Sequence, residues 1–268
     1  MSKILITGHR GWIGRNFTKI LDDQSIEWVG IDRLEGEDLL EDITPFYKKI
    51  KDIDIVVHLA ATARIPPSWI SSDHYRNNNV GVTDQIARIC AENKKHLIFA
   101  SSSSIYGNGE GPLNPYSWTK LASEQSIQMY GRSSGLNYTI LRFFTNYGED
   151  DNSGLVIGKW LAQTKKDEPI TLRGLGQQSR DFIHVKDTAR AILACCQSLP
   201  NNTILDIGTG ETHKLMDLAE IFGGAVTLEL ELPGYATSTQ ADLEHTQQHI
   251  SWWPRVDLVG WLKSQLMK

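Results

Sequence analysis

Short apolar runs alternate with longer amphipathic stretches from the start of the chain. The runs KILITG, IEWVGID, DIVVHLAA and HLIFASS read as strands, and IGRNFTKILDDQ, PFYKKIKD and VGVTDQIARICAEN read as helices. Strands separated by helix-length segments predict a parallel sheet wound with helices. A further helix is expected over PYSWTKLASEQSIQMYGRSS, ending near Gly135, and a single strand over NYTILRFFTNYG. Beyond Gly148 the rhythm loosens: GEDDNSG is a loop signal, followed by a helix near LVIGKWLAQTKK, a strand ITLRG and a helix VKDTARAILACCQSL. From about Asn201 the pattern mixes short strands, turns and one more helix, with Trp252, Trp253 and Trp261 anchoring the C-terminal end. The fold class expected is α/β: a Rossmann-type doubly wound parallel sheet over residues 1–150, to which a segment near 180–205 folds back, and a small mixed α/β lobe over 151–268.

Composition narrows the function classes. With 268 residues, 40% hydrophobic and 22% charged, the chain is long and apolar enough to bury a core without staples. A net charge of -5 offers no broad positive field, so nucleic acid is not expected as a partner. No apolar run approaches the roughly 18 residues of a membrane span, and MSKILITGHRG has no signal-peptide core, so a cytoplasmic location without membrane partners is expected. The cysteines, Cys90, Cys195 and Cys196, suit neither a disulfide framework nor a zinc site and read as reduced core residues. His245 and His249 stand at i, i+4 but lack a third ligand, so a solvated helix face is expected and no metal.

TGHRGWIG places Gly8, Gly11 and Gly14 between the first strand and the first helix. Gly8 permits the turn, Gly11 lets the amides leading into Trp12 and Ile13 approach a pyrophosphate, and Gly14 allows close helix-on-strand packing. Asp32 ends the second strand, where a carboxylate accepts the adenosine ribose hydroxyls; this favours NAD over NADP. His9, Arg10 and Arg33 pull toward a 2′-phosphate, but a solvated loop is the expected place for them. Asp42 and Ile43, just before the Thr44-Pro45 helix start, fit an adenine contact and a helix-start carboxylate equally well.

PYSWTK sets Tyr116 and Lys120 at i, i+4 on one helix face. A phenol is a poor base at neutral pH, and a nearby ammonium favours the phenolate; lowering its pKa by about three units takes roughly 4 kcal/mol. The run ASSSSIYG follows the strand HLIFA directly, so a serine hydroxyl there stands at the carboxyl edge of the sheet, where open α/β sheets bind ligands.

Together these segments resemble the extended short-chain dehydrogenase/reductase family, in particular its nucleotide-sugar epimerases and dehydratases. TGHRGWIG, DIVVHLAA, NNVGVT, ASSSSIYG, PYSWTK, LRFFTNYG, RDFIHVKD and LDIGTGE match its motifs in order over nearly the whole chain. The resemblance implies Ser102, Tyr116 and Lys120 as the catalytic set, with Ser101 supporting the turn. It implies Leu59, Ala60, Ala61, Asn79 and Phe143, with Tyr116 and Lys120, on the cofactor. Ser103, Ser104, Thr145, Arg173 and Arg180 fall on the substrate side, Arg180 at the diphosphate. His58 is expected near the cofactor, not as a base, and His184 as packing beside the RDF turn. Ser103-Ser104 stands where the 4,6-dehydratases carry the Asp-Glu pair that eliminates water, which removes that chemistry. What remains is hydride transfer with NAD: most directly a 4-epimerase passing through a 4-keto sugar, otherwise a nucleotide-sugar dehydrogenase or ketoreductase, or a dinucleotide-binding sensor without turnover. Leu232 replaces a frequent diphosphate arginine, and the short chain implies a trimmed substrate lobe. The resemblance also implies a homodimer joined through helices.

Overall fold

Runs such as ILIT and IVVH are apolar on both faces, which a strand tolerates only where helices cover it on both sides. The computed structural model describes residues 2–151 and 154–267, so the GEDDNSG signal falls partly, at 152 and 153, outside the described residues. The strands are β1 (Ile4–Thr7), β2 (Trp28–Ile31), β3 (Ile55–His58), β4 (His96–Ser102), β5 (Tyr138–Phe143), β6 (Thr145–Tyr147), β7 (Ile170–Arg173), β8 (Ser179–His184), β9 (Thr203–Ile207), β10 (Thr212–Lys214) and β11 (Val226–Glu229). The helices are α1 (Trp12–Asp23), α2 (Thr44–Lys49), α3 (Ile65–Ile70), α4 (Ser72–Tyr75), α5 (Val82–Glu92), α6 (Pro115–Ser134), α7 (Val156–Thr164), α8 (Val185–Ser198), α9 (Leu215–Phe222), α10 (Leu243–His249) and α11 (Leu258–Leu266).

The large sheet has the order β2-β1-β3-β4-β5-β9, every pair parallel. Alternate side chains of β1 serve opposite layers: Ile4 and Ile6 meet Phe17 and Leu21 of α1 and the α8 face, while Leu5 meets the layer of Phe46, Ile86 and Ile127. The common dinucleotide-binding order 3-2-1-4-5-6 sets a further strand outside this β2 position. Here the chain leaves β2 through a short turn at Arg33–Glu35, forms α2 and enters β3 directly, so β2 is the sheet edge. Shortening was expected in the substrate lobe; part of it lies instead in the nucleotide-binding sheet.

The small lobe holds the sheets β10-β8-β6 and β11-β7 around Trp160, Leu172, Phe182 and Leu262. The single strand expected over NYTILRFFTNYG divides at Phe144: β5 belongs to the large sheet, and β6 pairs with β8 in the small one. The chain then returns to the large sheet more than once. β9 closes its far edge, and in α10 the Thr246 hydroxyl donates to the Asp206 carbonyl at 2.8 Å. Trp252 is buried and its indole donates to the Asp187 carbonyl at 3.0 Å, whereas Trp253 is 55% exposed and anchors nothing. α6 is firmly bounded. Asn114 caps its first turn with a reciprocal bond to Ser117, Pro115 opens it, and Gly135 ends it at φ +69°, where glycine carries no steric penalty. Among the described residues no helix is long and apolar enough to cross a membrane.

Candidate active site

The glycine turn leaves no room for side chains. A Cβ on Gly8, at φ +76°, would lie 2.7 Å from the Ala60 amide nitrogen, and one on Gly14 would lie 2.4 Å from the Gly8 carbonyl oxygen. α1 begins at Trp12 without a side-chain cap and without an acidic residue in its first turn. Its orphan amides and positive dipole end therefore face the cradle, the arrangement that receives a pyrophosphate. The Trp12 indole turns away to the Glu149 carbonyl at 2.9 Å, leaving its backbone for that role. The Asp32 carboxylate accepts the Arg10 and Leu34 amides, each at 2.9 Å, and keeps lone pairs for a ribose. These residues fit a dinucleotide.

Other sequence expectations shift. His9 is not in a solvated loop: its ring fills the space left by Gly30, where a Cβ would meet Nδ1 at 2.3 Å, and packs on Trp28. Arg10 and Arg33 are exposed, and Glu35 lies 3.2 Å from His9 and 3.6 Å from Arg10, adding negative charge where a 2′-phosphate would sit. Asp42 accepts the Thr44 amide at 2.8 Å, the Thr44 side chain and then this amide lower its pKa, and Ile43 packs on the core, so this pair stands at the start of α2. Leu59 and Ala60 hang from Thr7 by bonds of 3.0 and 3.3 Å, which runs them and Ala61 along the glycine turn. The Asn79 amide bonds Thr62 through both its oxygen and its nitrogen and reaches the Thr119 hydroxyl, within a π-helical segment over Arg76–Gly81, so it pins the loop. His58 bridges Thr7 and Thr83 at 2.6 and 3.0 Å, and burial, then the Lys120 charge, pushes its pKa down to about 3. It is neutral and no base.

Ser102 ends β4 in register with Phe143 of β5. Its hydroxyl lies 2.9 Å from that of Ser104 and is near enough to the Tyr116 phenol to pull its pKa down. Burial raises the Tyr116 pKa; the Ser102 bond and the Arg64 charge oppose it. Lys120 is buried, donates to the Ala100 carbonyl at 2.8 Å and sits 4.8 Å from the Phe99 ring centroid. Burial lowers its pKa to about 8, with Glu124 opposing. Arg64 is thus a further cation that opposes the rise at the phenol, and the Lys120 ammonium is held at the strand end by the Ala100 carbonyl.

Behind this set runs a buried chain of charges that the sequence reading missed. Glu124, one turn beyond Lys120, accepts from Ser101 and is gripped by Arg142 at 2.7 and 3.1 Å. Ser101 therefore reaches the core rather than only supporting the turn. Arg142 continues to the Tyr106 hydroxyl at 2.8 Å, which donates to Asp206 at 2.7 Å. The i+4 spacing from Lys120 was a signal for Glu124; the rest joins remote segments.

On the substrate side Ser103 is buried, and Ser104 and Thr145 are half-buried. Arg180 donates to the Ser179 carbonyl at 2.7 Å and is not paired with Asp181, whose carboxylate instead holds the amides of Thr209, Gly210 and Ala241. Arg173 bonds Glu229 at 3.3 Å and the Tyr235 hydroxyl at 3.2 Å, so it braces the lobe. His184 caps α8 and packs on Tyr147 and Trp261; His245 and His249 are exposed, and no metal-binding cluster occurs among the described residues.

The model of the NAD dependent epimerase/dehydratase family matches residues 4–208. The uncharacterized UDP-glucose epimerase YtcB of Bacillus subtilis is 28% identical over 98% of this chain and 96% of its own; that alignment spans 312 positions, so the relative carries segments this chain lacks. The UDP-glucuronic acid 4-epimerase from Bacillus cereus, solved with UDP-glucuronic acid and NAD, superposes with a TM-score of 0.89 at 28% identity, covering 99% of this chain and 98% of that one. MoeE5 in complex with UDP-glucose and NAD gives 0.88 at 28% identity, over 99% and 97% of the two chains. The chain belongs to the NAD dependent epimerase/dehydratase family, with the extended short-chain dehydrogenase/reductase architecture.

Proposed function

We propose that the protein is an NAD-dependent epimerase that inverts C4 of a nucleotide-activated sugar. The observation that carries this reading is the meeting of Ser102 with Tyr116 at the carboxyl edge of the sheet, with Lys120 fixed one helical turn beyond and the glycine cradle alongside. The Trp12 and Ile13 amides and Asp32 would hold NAD, which when bound would supply the acceptor and donor of the hydride. Tyr116 takes the proton of the sugar 4-hydroxyl, Ser102 bonds the same oxygen, and Tyr116 returns the proton once the ketone has turned over. Arg180 suits the diphosphate, so the nucleotide stays fixed while the sugar moves. Ser103-Ser104 offers no acid and base for elimination, which favours epimerisation over dehydration. Relatives named for UDP-glucose and UDP-glucuronate chemistry support UDP-sugars as the first substrates to try.

Purified protein incubated with UDP-, GDP- and dTDP-sugars, followed by chromatography, tests this. An isomer without accumulating NADH is expected. Stoichiometric NADH would assign a dehydrogenase instead, and binding without any product a sensor. A homodimer built through helices is part of the same proposal, and light scattering that returns a monomer mass would remove it.

A further inference from the structure

Arg64 stands at φ +101° and ψ 133°. The other non-glycine residues of positive φ, among those described, lie between 48° and 56°, in the ordinary left-handed well. Arg64 is well outside that well, in a conformation that glycine adopts freely and an arginine holds only if its surroundings impose it. The imposing group is Tyr75. Its buried hydroxyl reaches the carbonyls of Ala63 and Arg64 at 2.8 and 2.9 Å, and its ring stands edge-on to the Tyr116 ring at 6.4 Å. The backbone of Arg64 is thereby fastened to the wall of the catalytic phenol. Its guanidinium extends toward Gly154, 3.4 Å from where a Cβ on that glycine would be.

The side chain is half-buried and forms no ion pair among the described residues. The other arginines of the substrate side have their own tasks: Arg180 lies among the carbonyls of Ser179 and Thr237, and Arg173 is tied to Glu229. A guanidinium without a counter-ion, on a backbone tied to the wall of the reacting phenol, is costly when a neutral sugar closes over it, and favourable when the sugar brings an anion.

We propose that Arg64 is a specificity residue that pairs with a carboxylate on the sugar ring, so that the preferred substrate is a nucleotide-activated uronic acid. This rests on the nucleotide-sugar reading above and goes beyond it by naming the class of sugar.

The test uses the NAD-loaded full chain, UDP-glucuronate and UDP-glucose, with affinity read by calorimetry and turnover by chromatography. The wild type should bind UDP-glucuronate roughly tenfold or more tighter than UDP-glucose, and Arg64→Gly, which relaxes the backbone, should bring that ratio close to one through a loss of roughly 10- to 100-fold on the acid. Arg64→Lys should keep part of the preference, as a point charge without the fork. The melting temperature of Arg64→Gly should not fall. An unchanged ratio in Arg64→Gly, or a wild type that prefers UDP-glucose, overturns the proposal. If the ratio behaves as expected but neither sugar is isomerised, the epimerase reading fails and the role of Arg64 stands. If isomerisation proceeds with no preference to lose, the reverse holds. If neither sugar binds, both fail.

Discussion

Tyr116 works against its own surroundings. Burial raises its pKa, while the Ser102 hydrogen bond and the Arg64 charge pull the other way; Lys120, buried and held to about 8, must carry its proton to act as a cation. A reaction that needs both the phenolate and the ammonium gains rate with rising pH below about 8 and levels off above it, because Lys120 discharges there while the phenol, held above its ordinary range, goes on ionising. The pH profile of kcat/KM should therefore rise to a break near 8, and a rate that goes on rising tenfold per unit through that value would refute the assignment. Replacing Tyr116 by Phe should lower kcat by roughly 10²- to 10⁴-fold, with cofactor affinity, read by fluorescence quenching, nearly unchanged. The i, i+4 spacing made Tyr116 and Lys120 legible as a pair on one helix face. Their electrostatics were not legible, because the bond from Lys120 to Ala100 and the placement of Arg64 depend on segments far apart in the chain.

At the scale of elements, α6 holds the end of β4 at consecutive residues. Lys120 bonds the Ala100 carbonyl and Glu124 accepts from the Ser101 hydroxyl, and the next residue is Ser102. Glu124 is thus a positioning residue for the catalytic hydroxyl as well as the anion that supports charge on Lys120. In Glu124→Gln the ammonium loses that support and discharges at lower pH, so the break in the kcat/KM profile should move toward acid; a purely structural role would lower the rate without moving the break. Arg142 would also lose its buried partner, a change that costs about 3 kcal/mol in unfolding free energy measured with urea. Strand and helix periods gave away α1, α6 and the strands of the large sheet. The break between β5 and β6 escaped, because the apolar run LRFFTNY is continuous and only the pairing of β6 with β8 divides it. The edge position of β2 escaped for a similar reason: a missing strand leaves no residues to read.

The whole molecule carries an acid liability. His58, His96 and His184 are buried, with pKa values pushed down by burial to about 3, about 4 and about 4, against 6.5 for a free side chain. The folded values lie below the unfolded one, so their contribution is fully present above pH 6.5 and is lost as pH falls toward 4. With three groups the slope reaches about 4 kcal/mol per pH unit, offset at lower pH by Asp181 and Asp206, whose burial holds their pKa values up. Urea midpoints at successive pH values should fall steeply below 6.5, and a stability independent of pH in that range would contradict the neutral state of these rings. The large sheet that buries His58 and His96 also holds the cradle and the phenol together, and that conjunction is what the functional claim depends on. It is tested most directly by giving the NAD-loaded protein a UDP-sugar deuterated at C4 and following the label by NMR. The account predicts the C4 epimer with deuterium retained at that carbon and no net reduced cofactor; label lost to solvent, or reduced cofactor formed in step with substrate and no epimer, would contradict it.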